Sequence, residues 1–321
     1  MIRENRNKNL ILLYHHVIQT RVDPWEMAVN PDHFRDHLEV LSNDYKVMPL
    51  GDMATGKPSF SGAAIYLTFD DAYRDNYTQV FPELRKRSLP ATFFVATQIL
   101  NENPTFWWEA LEQVLLEKSP VPEILELRWP DGSVYRKKIG QLAINTRPWS
   151  AWTGIPETRR QEIYLDLSAR IKALPPDGQN DLTGQLLSWL DENPSSGFGS
   201  AKMTASQLSE VHQSGLVEIG AHSVHHPVLA RLPEPIQIHE IANSKRQLEA
   251  LLGKPVSTFA YPHGNYDNVT RALVCATGFA IACTTEEGSF DRRHDLMTLP
   301  RIWVKDWDKD QFSGALERWL K

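Results

Sequence analysis

The stretch that most narrows what this chain can fold into is Ala64-Ile65-Tyr66-Leu67-Thr68-Phe69, an apolar run that stops abruptly at Asp70-Asp71. Its length and its aromatic and β-branched content suit a buried strand. Side chains alternate along a strand, so Asp70 and Asp71 are expected to leave it in different directions. Two carboxylates so close raise each other's pKa unless a cation keeps one of them ionised. Such a pair can divide the work, one Asp on a metal ion and the other handling a proton. The plainer alternative is a strand-end Asp that caps the next helix beside a solvated neighbour.

A second stretch bears on that choice. The apolar run at 216–219 leads into Gly220-Ala221-His222-Ser223-Val224-His225-His226-Pro227. His222 and His226 are four apart and share a face if the backbone turns helically there. Imidazoles with a carboxylate suit a borderline divalent ion such as zinc. Asp71, His222 and His226 would supply three ligands and leave a position open for water, as catalytic sites require. A histidine cluster alone is a weak signal; one that follows a strand, beside a paired-Asp strand end, is much stronger.

Around these stretches strands alternate with helices. Strands are expected at 9–14, 45–50, 91–96, 217–223, 258–261, 280–284 and 298–304. Helices are expected from Asn30-Pro31 onward, at 76–87 with a kink at Pro82, and at 204–214, 235–252, 267–277 and 309–320. This rhythm favours parallel strands with crossover helices, and the count suits an α/β fold, an incomplete or distorted (β/α) barrel. The singled-out motifs all fall at C-terminal strand ends, where such barrels place their sites. The 321 residues are read as one domain, 1–321, interrupted at about 101–200 by a mainly helical insertion. Within it, helices are expected at 106–116, 158–174 and 181–190, a hairpin around Pro130-Asp131-Gly132, and a polar linker at 193–199. The insertion suits a small subdomain, a lid or an oligomer contact; the sequence carries no signal for an oligomeric state.

A net charge of -6 argues against a nucleic-acid surface as the main partner. Ten tryptophans could line a sugar cleft, Trp107 and Trp108 among them, although most are expected in the core. Cys275 and Cys283 read as small buried apolar residues rather than a disulfide. Residues 1–8 are charged and the apolar run behind them ends at His15-His16. That is neither a signal peptide nor a membrane span, so a cytoplasmic protein is expected.

Thr68-Phe69-Asp70-Asp71 and His222-Ser223-Val224-His225-His226 resemble the first two motifs of the polysaccharide deacetylases, the NodB-homology carbohydrate esterases of family 4, which read T-F-D-D-G and H-[ST]-x-x-H. Phe259-Ala260-Tyr261-Pro262-His263-Gly264 is similar to the F-A-Y-P-x-G variant of one branch. Leu13-Tyr14-His15-His16-Val17 resembles that branch's first strand and Leu299-Pro300-Arg301-Ile302 its last. The matches cover most of the chain outside roughly 100–200. The resemblance implies a metal-dependent hydrolase that removes an N-acetyl group from an amino sugar, polysaccharide or glycan precursor. It places one divalent ion on Asp71, His222 and His226, zinc first, with cobalt, manganese or nickel as alternatives. It makes Asp70 the general base and gives the turn Tyr261, Pro262, His263 and Gly264 to substrate and oxyanion, with a backbone donor near His263.

Three positions depart from the family's pattern. Ala72 stands where the first motif commonly has Gly. Ala260 stands where many members have an Arg that orients the catalytic Asp, and Arg301 is expected to take that part from the last strand. The L-x-x-H histidine is missing, so the general acid is sought at His15 first, then His263, then His294. Asp75 and Asn76 read as helix caps. Two other functions compete: a deformylase or cyclic-amide hydrolase on the same scaffold, and a catalytically weak glycan-binding protein.

Overall fold

In the first part of the chain, each buried run becomes a parallel strand. A computed structural model describes residues 8–54, 63–100, 105–118, 121–140, 149–190 and 201–321. The strands are β1 (Leu10–Tyr14), β2 (Ala64–Phe69), β3 (Ala91–Val95), β4 (Val217–Ala221), β5 (Thr258–Ala260), β6 (Ile281–Cys283) and β7 (Ile302–Trp303). They lie in the order β6-β5-β4-β3-β2-β1-β7, each neighbouring pair parallel. A short strand, Lys46–Val47, joins the start of β2. The lead-in to β7 also touches β6. Leu299 bridges Cys283, its N–H donating to Ala282 O (2.9 Å) while Thr284 N–H donates to Leu299 O (2.9 Å). The sheet therefore curls on itself as a distorted (β/α) barrel. The expected strand at 298–304 shrinks to two residues because Pro300 has no N–H to give a ladder.

Alternation along the strands sorts the residues. Ile11, Tyr66, Phe94, Ala260, Ile281, Cys283 and Leu299 meet in one buried cluster. The opposite face carries Tyr14, Phe69 and Phe93, with Tyr14 stacked on Phe69 at 5.1 Å and Phe93 edge-on to Phe69 at 5.2 Å. By the same parity, residues 68 and 220, and residues 70 and 222 just past the ends of β2 and β4, point with the inner cluster. Gly220 has no alternative there, since a Cβ would lie 2.5 Å from the Phe94 ring.

The first helix, Pro31–Asp44, starts as its sequence dictates, with the Asn30 side chain accepting from Asp32 N–H (2.8 Å) and Pro31 in the first turn. It buries His37, whose ring stacks on Phe312 (4.0 Å); Nε2–H donates to Trp307 O (2.7 Å) and Nδ1 accepts from Tyr14 OH (3.3 Å). Burial lowers the His37 pKa from 6.5 to about 4, against the opposing pull of the Trp307 carbonyl. The unfolded chain therefore binds more protons than the folded one between those values. The stability this site contributes is complete above the unfolded pKa and is lost as pH falls toward the folded one. Between pH 7 and pH 5, His37 alone is expected to remove about 2 kcal/mol. Urea midpoints at the two pH values check this, and His37→Gln is expected to flatten that part of the pH dependence.

The segment expected as a kinked helix at 76–87 is a π-helical turn, Asn76–Val80, followed by the α-helix Phe81–Arg87. The backbone stays right-handed helical through Val80 and Phe81, so Pro82 lies inside a continuous helical run, directly after the π-helical turn. The long helix Glu234–Leu252 ends at Gly253, with φ +66.

The chain divides into two compact units, one of Met1–Gln19, Met27–Leu100 and Lys202–Lys321, the other of Thr20–Glu26 and Asn101–Ala201. The second contains the helices Trp107–Glu112, Arg159–Lys172 and Pro176–Trp189 and an antiparallel hairpin, Ile124–Arg128 with Val134–Lys138. The helix expected from 181 begins at Pro176, since proline suits a first turn. Trp107 and Trp108 are buried, the latter stacked on Phe106 at 4.3 Å, which makes them core residues of this unit. The linker expected at 193–199 and residues 1–7 lie outside the described residues. Cys283 is buried as expected, whereas Cys275 is exposed; both are free thiols.

Candidate active site

At the end of β2 the backbone first continues and then reverses. Asp70 N–H still donates to Tyr14 O (3.0 Å), which keeps Asp70 in strand register and facing inward. Asp71 (φ +69) and Ala72 (φ +53) are left-handed. That turn swings Asp71 round, so the two carboxylates converge instead of diverging: Asp70 Oδ2 and Asp71 Oδ1 are each 3.8 Å from His222 Nε2. Strand alternation fails here because the strand has ended. A residue with a Cβ is costly in this conformation, about 1–2 kcal/mol, so Gly would be relaxed at position 72.

A comparable turn follows β4. His222 N–H donates to Val95 O (2.9 Å), Ser223 (φ +61) and His226 (φ +59) are left-handed, and His226 N–H donates to Ser223 Oγ (3.0 Å). A helical turn was expected to pair the histidines; two left-handed residues do it. Their Nε2 atoms lie 3.1 Å apart, and Asp71 Oδ1 is 3.5 Å from that of His226. One ligand atom from each of Asp71, His222 and His226 falls within 4.8 Å of the others, and all three residues are buried. His222 Nδ1 lies 2.7 Å from Ala260 O. A carbonyl only accepts, so Nδ1 carries the proton and Nε2 presents a lone pair to Asp71 and His226. Burial lowers the His222 pKa against the pull of Asp70, which favours this neutral form. Two imidazole nitrogens and a carboxylate oxygen facing one another in a buried space fit a divalent ion.

Arg301 grips Asp70 with both arms, NH1 to Oδ1 and NH2 to Oδ2, each at 2.7 Å. Its Nε–H donates to Thr284 O (2.7 Å) and NH1 also to Thr68 Oγ1 (3.3 Å). Arg301 is fully buried and Asp70 is 2% exposed. Burial alone would raise the Asp70 pKa; the Arg301 guanidinium, with His222, outweighs it and holds the carboxyl below its ordinary range. Ala260, in the place of the family's arginine, packs with Phe94 in the inner cluster, and Arg301 lies 5.7 Å from the same Phe94 ring.

His15 reaches the cluster from β1 and packs on Trp303 at 5.0 Å. Burial lowers its pKa to about 3, with Asp70 opposing and Arg301 reinforcing the shift. It is therefore neutral at pH 7 and holds no stored proton at rest. His263 (φ +56) sits edge-on to His226 at 4.4 Å. The rest of its turn is committed elsewhere: Tyr261 N–H donates to Cys283 O (3.0 Å), Tyr261 OH to Met297 O (3.0 Å), and Gly264 N–H to Tyr261 O (2.8 Å). Pro262 has no N–H. Tyr261, Pro262 and Gly264 thus shape the turn that carries His263. Gly264 has φ +66, and a Cβ there would overlap Thr285 Oγ1 and lie 2.6 Å from Thr285 N. Gly264→Ala is expected to cost at least about 2 kcal/mol in urea denaturation.

His294 is exposed and held by Asp291, whose N–H donates to His294 Nδ1 (3.1 Å); it is not brought to the cluster. Asp75 and Asn76 are not caps. Asp75 Oδ2 accepts from His16 Nδ1–H (2.8 Å) and Oδ1 from Val17 N–H (2.9 Å), while Asn76 Nδ2–H donates to His15 O (2.9 Å). They tie the end of β1 to the turn after Asp71, a long-range role that local sequence signals do not reveal.

Comparison with known proteins agrees with this geometry. The YxkH protein of Bacillus subtilis (strain 168) is 29% identical over 113 residues, which are 35% of this chain and 40% of YxkH. The Streptococcus pyogenes deacetylase PplD, solved in complex with acetate, matches the fold with a TM-score of 0.61 at 18% identity, covering 98% of this chain and 99% of that one. IcaB from Ammonifex degensii gives 0.59 at 18% identity, over 98% and 97% of the two chains. No helix among the described residues is long and apolar enough to cross a membrane. The family model of the polysaccharide deacetylases matches residues 57–139 and 177–282, more than half of the sequence, and the chain belongs to that family.

Proposed function

We propose that this protein hydrolyses N-acetyl groups from amino-sugar residues of a glycan. The observation that carries the reading is the division between two adjacent carboxylates, Asp70 clamped by Arg301 and Asp71 set against two imidazole nitrogens. Asp71, His222 and His226 would hold a divalent ion, zinc being well matched to these donors, and when bound it would supply polarisation of the acyl carbonyl and a lowered pKa of water. Asp70, kept ionised by Arg301, takes the proton from the attacking water. The Arg301 fork fixes the direction of its oxygens. The His263 backbone N–H stabilises the developing oxyanion. His15, neutral at rest, relays to the departing nitrogen the proton that Asp70 has gained. The products are a free amine and acetate. The acetate-bound structure of the Streptococcus pyogenes deacetylase favours acetyl as the group removed.

The test is acetate release from N-acetylglucosamine oligomers. Acetate that accumulates with one new amine per molecule supports the proposal. Formate from N-formylated substrates, without acetate, would move the protein to the deformylase alternative. Neither product would leave the glycan-binding alternative in front.

A further inference from the structure

Inside the loop between the two metal-site histidines lies His225, which takes no part in the chemistry above. Its Nδ1–H donates to Glu240 Oε1 (2.7 Å), and Glu240 Oε2 accepts from His225 N–H (2.8 Å) and Val224 N–H (3.0 Å). Glu240 projects from the helix Glu234–Leu252 and is 1% exposed. One buried side chain therefore gathers three donors from two consecutive residues, and these residues separate Ser223 from His226, the loop's two left-handed positions. Left-handed conformations in residues with a Cβ persist only where surrounding bonds over-determine them. On the other side of the loop, Thr97 N–H donates to Ser223 O (3.1 Å) and Gln98 N–H to Val224 O (2.9 Å).

We infer that Glu240 is a positioning residue for the metal centre: through Val224 and His225 it holds the loop in the shape that makes the His222 and His226 nitrogens converge. The inference rests on the proposed metal site. A parallel arrangement stands behind Asp71, where Asp75 accepts from both the His16 ring and Val17 N–H. There the carboxylate follows the ligand-bearing turn, and its donors come from the segment after β1. Buried groups that orient metal ligands typically set affinity by 10–100-fold, roughly the range expected here.

The experiment is zinc affinity by chelator competition on wild type, Glu240→Gln, Glu240→Ala and His225→Gln, with the visible spectrum of the cobalt-loaded proteins recorded alongside. Glu240→Gln keeps an oxygen for the backbone donors and a similar volume, so it is the variant expected to fold. Its zinc affinity is expected to fall by about tenfold and that of Glu240→Ala by about a hundredfold, with a changed cobalt spectrum in both. His225→Gln, which keeps the backbone contacts of Glu240, is expected to bind more tightly than Glu240→Ala. A Glu240→Gln protein with wild-type zinc affinity and cobalt spectrum overturns the inference, even if its unfolding midpoint drops. A wild type that binds no zinc overturns the proposed site as well, so the two failures are told apart by the wild-type titration.

Discussion

Asp70→Asn is expected to lower acetate release by about 10²–10⁴-fold while leaving the bound metal in place. The amide is nearly isosteric and can still meet Arg301, but it cannot accept a proton from water. The proposed ligand set leaves Asp70 out, because both its oxygens serve Arg301, whereas Asp71 Oδ1 lies 3.5 Å from His226 Nε2. Asp71→Asn separates the roles, because it weakens a ligand and is expected to lose metal and activity together. Rates at matched metal occupancy, measured for both variants, check the division. Equal metal loss in the two would contradict it.

The second large effect is on stability. Arg301→Met is expected to cost about 3–5 kcal/mol in urea denaturation, because it leaves the Asp70 carboxylate buried without its partner. Removing both charges relieves the penalty, so the double variant Asp70→Asn, Arg301→Met is expected to be more stable than Arg301→Met alone. The same substitution frees Asp70 from the charge that holds its pKa down, and its carboxyl is expected to titrate at a higher pH. An Arg301→Met protein as stable as wild type would show that the buried pair does not operate as described.

The barrel strands were legible because burial on both faces leaves a near-continuous apolar run, as at Leu10–Tyr14 and Ala64–Phe69. The residues that converge, Asp71, His222 and His226, stood out because the two motifs that carry them follow such runs. What the sequence concealed is how the chain turns after each strand. Left-handed backbone at Asp71, Ala72, Ser223 and His226 is not encoded by glycine at any of these positions, so neither the convergence of Asp70 with Asp71 nor the non-helical pairing of the histidines could be read locally. Arg301 was reachable only as a replacement for the arginine missing at Ala260, since the contact joins residues 231 positions apart. Glu240, Asp75 and Asn76 lacked even that signal, because their partners come from other elements.

The central claim is that Asp71, His222 and His226 hold one divalent ion on which acetate release depends. Elemental analysis of purified wild type, Asp71→Asn, His222→Ala and His226→Ala, with acetate release assayed on the same samples, tests it most directly. Wild type is expected to hold close to one ion per chain, all three variants to lose it, and acetate release to follow metal content. Wild type that binds no ion after incubation with zinc, cobalt or manganese, or variants that keep both the ion and the activity, would contradict it.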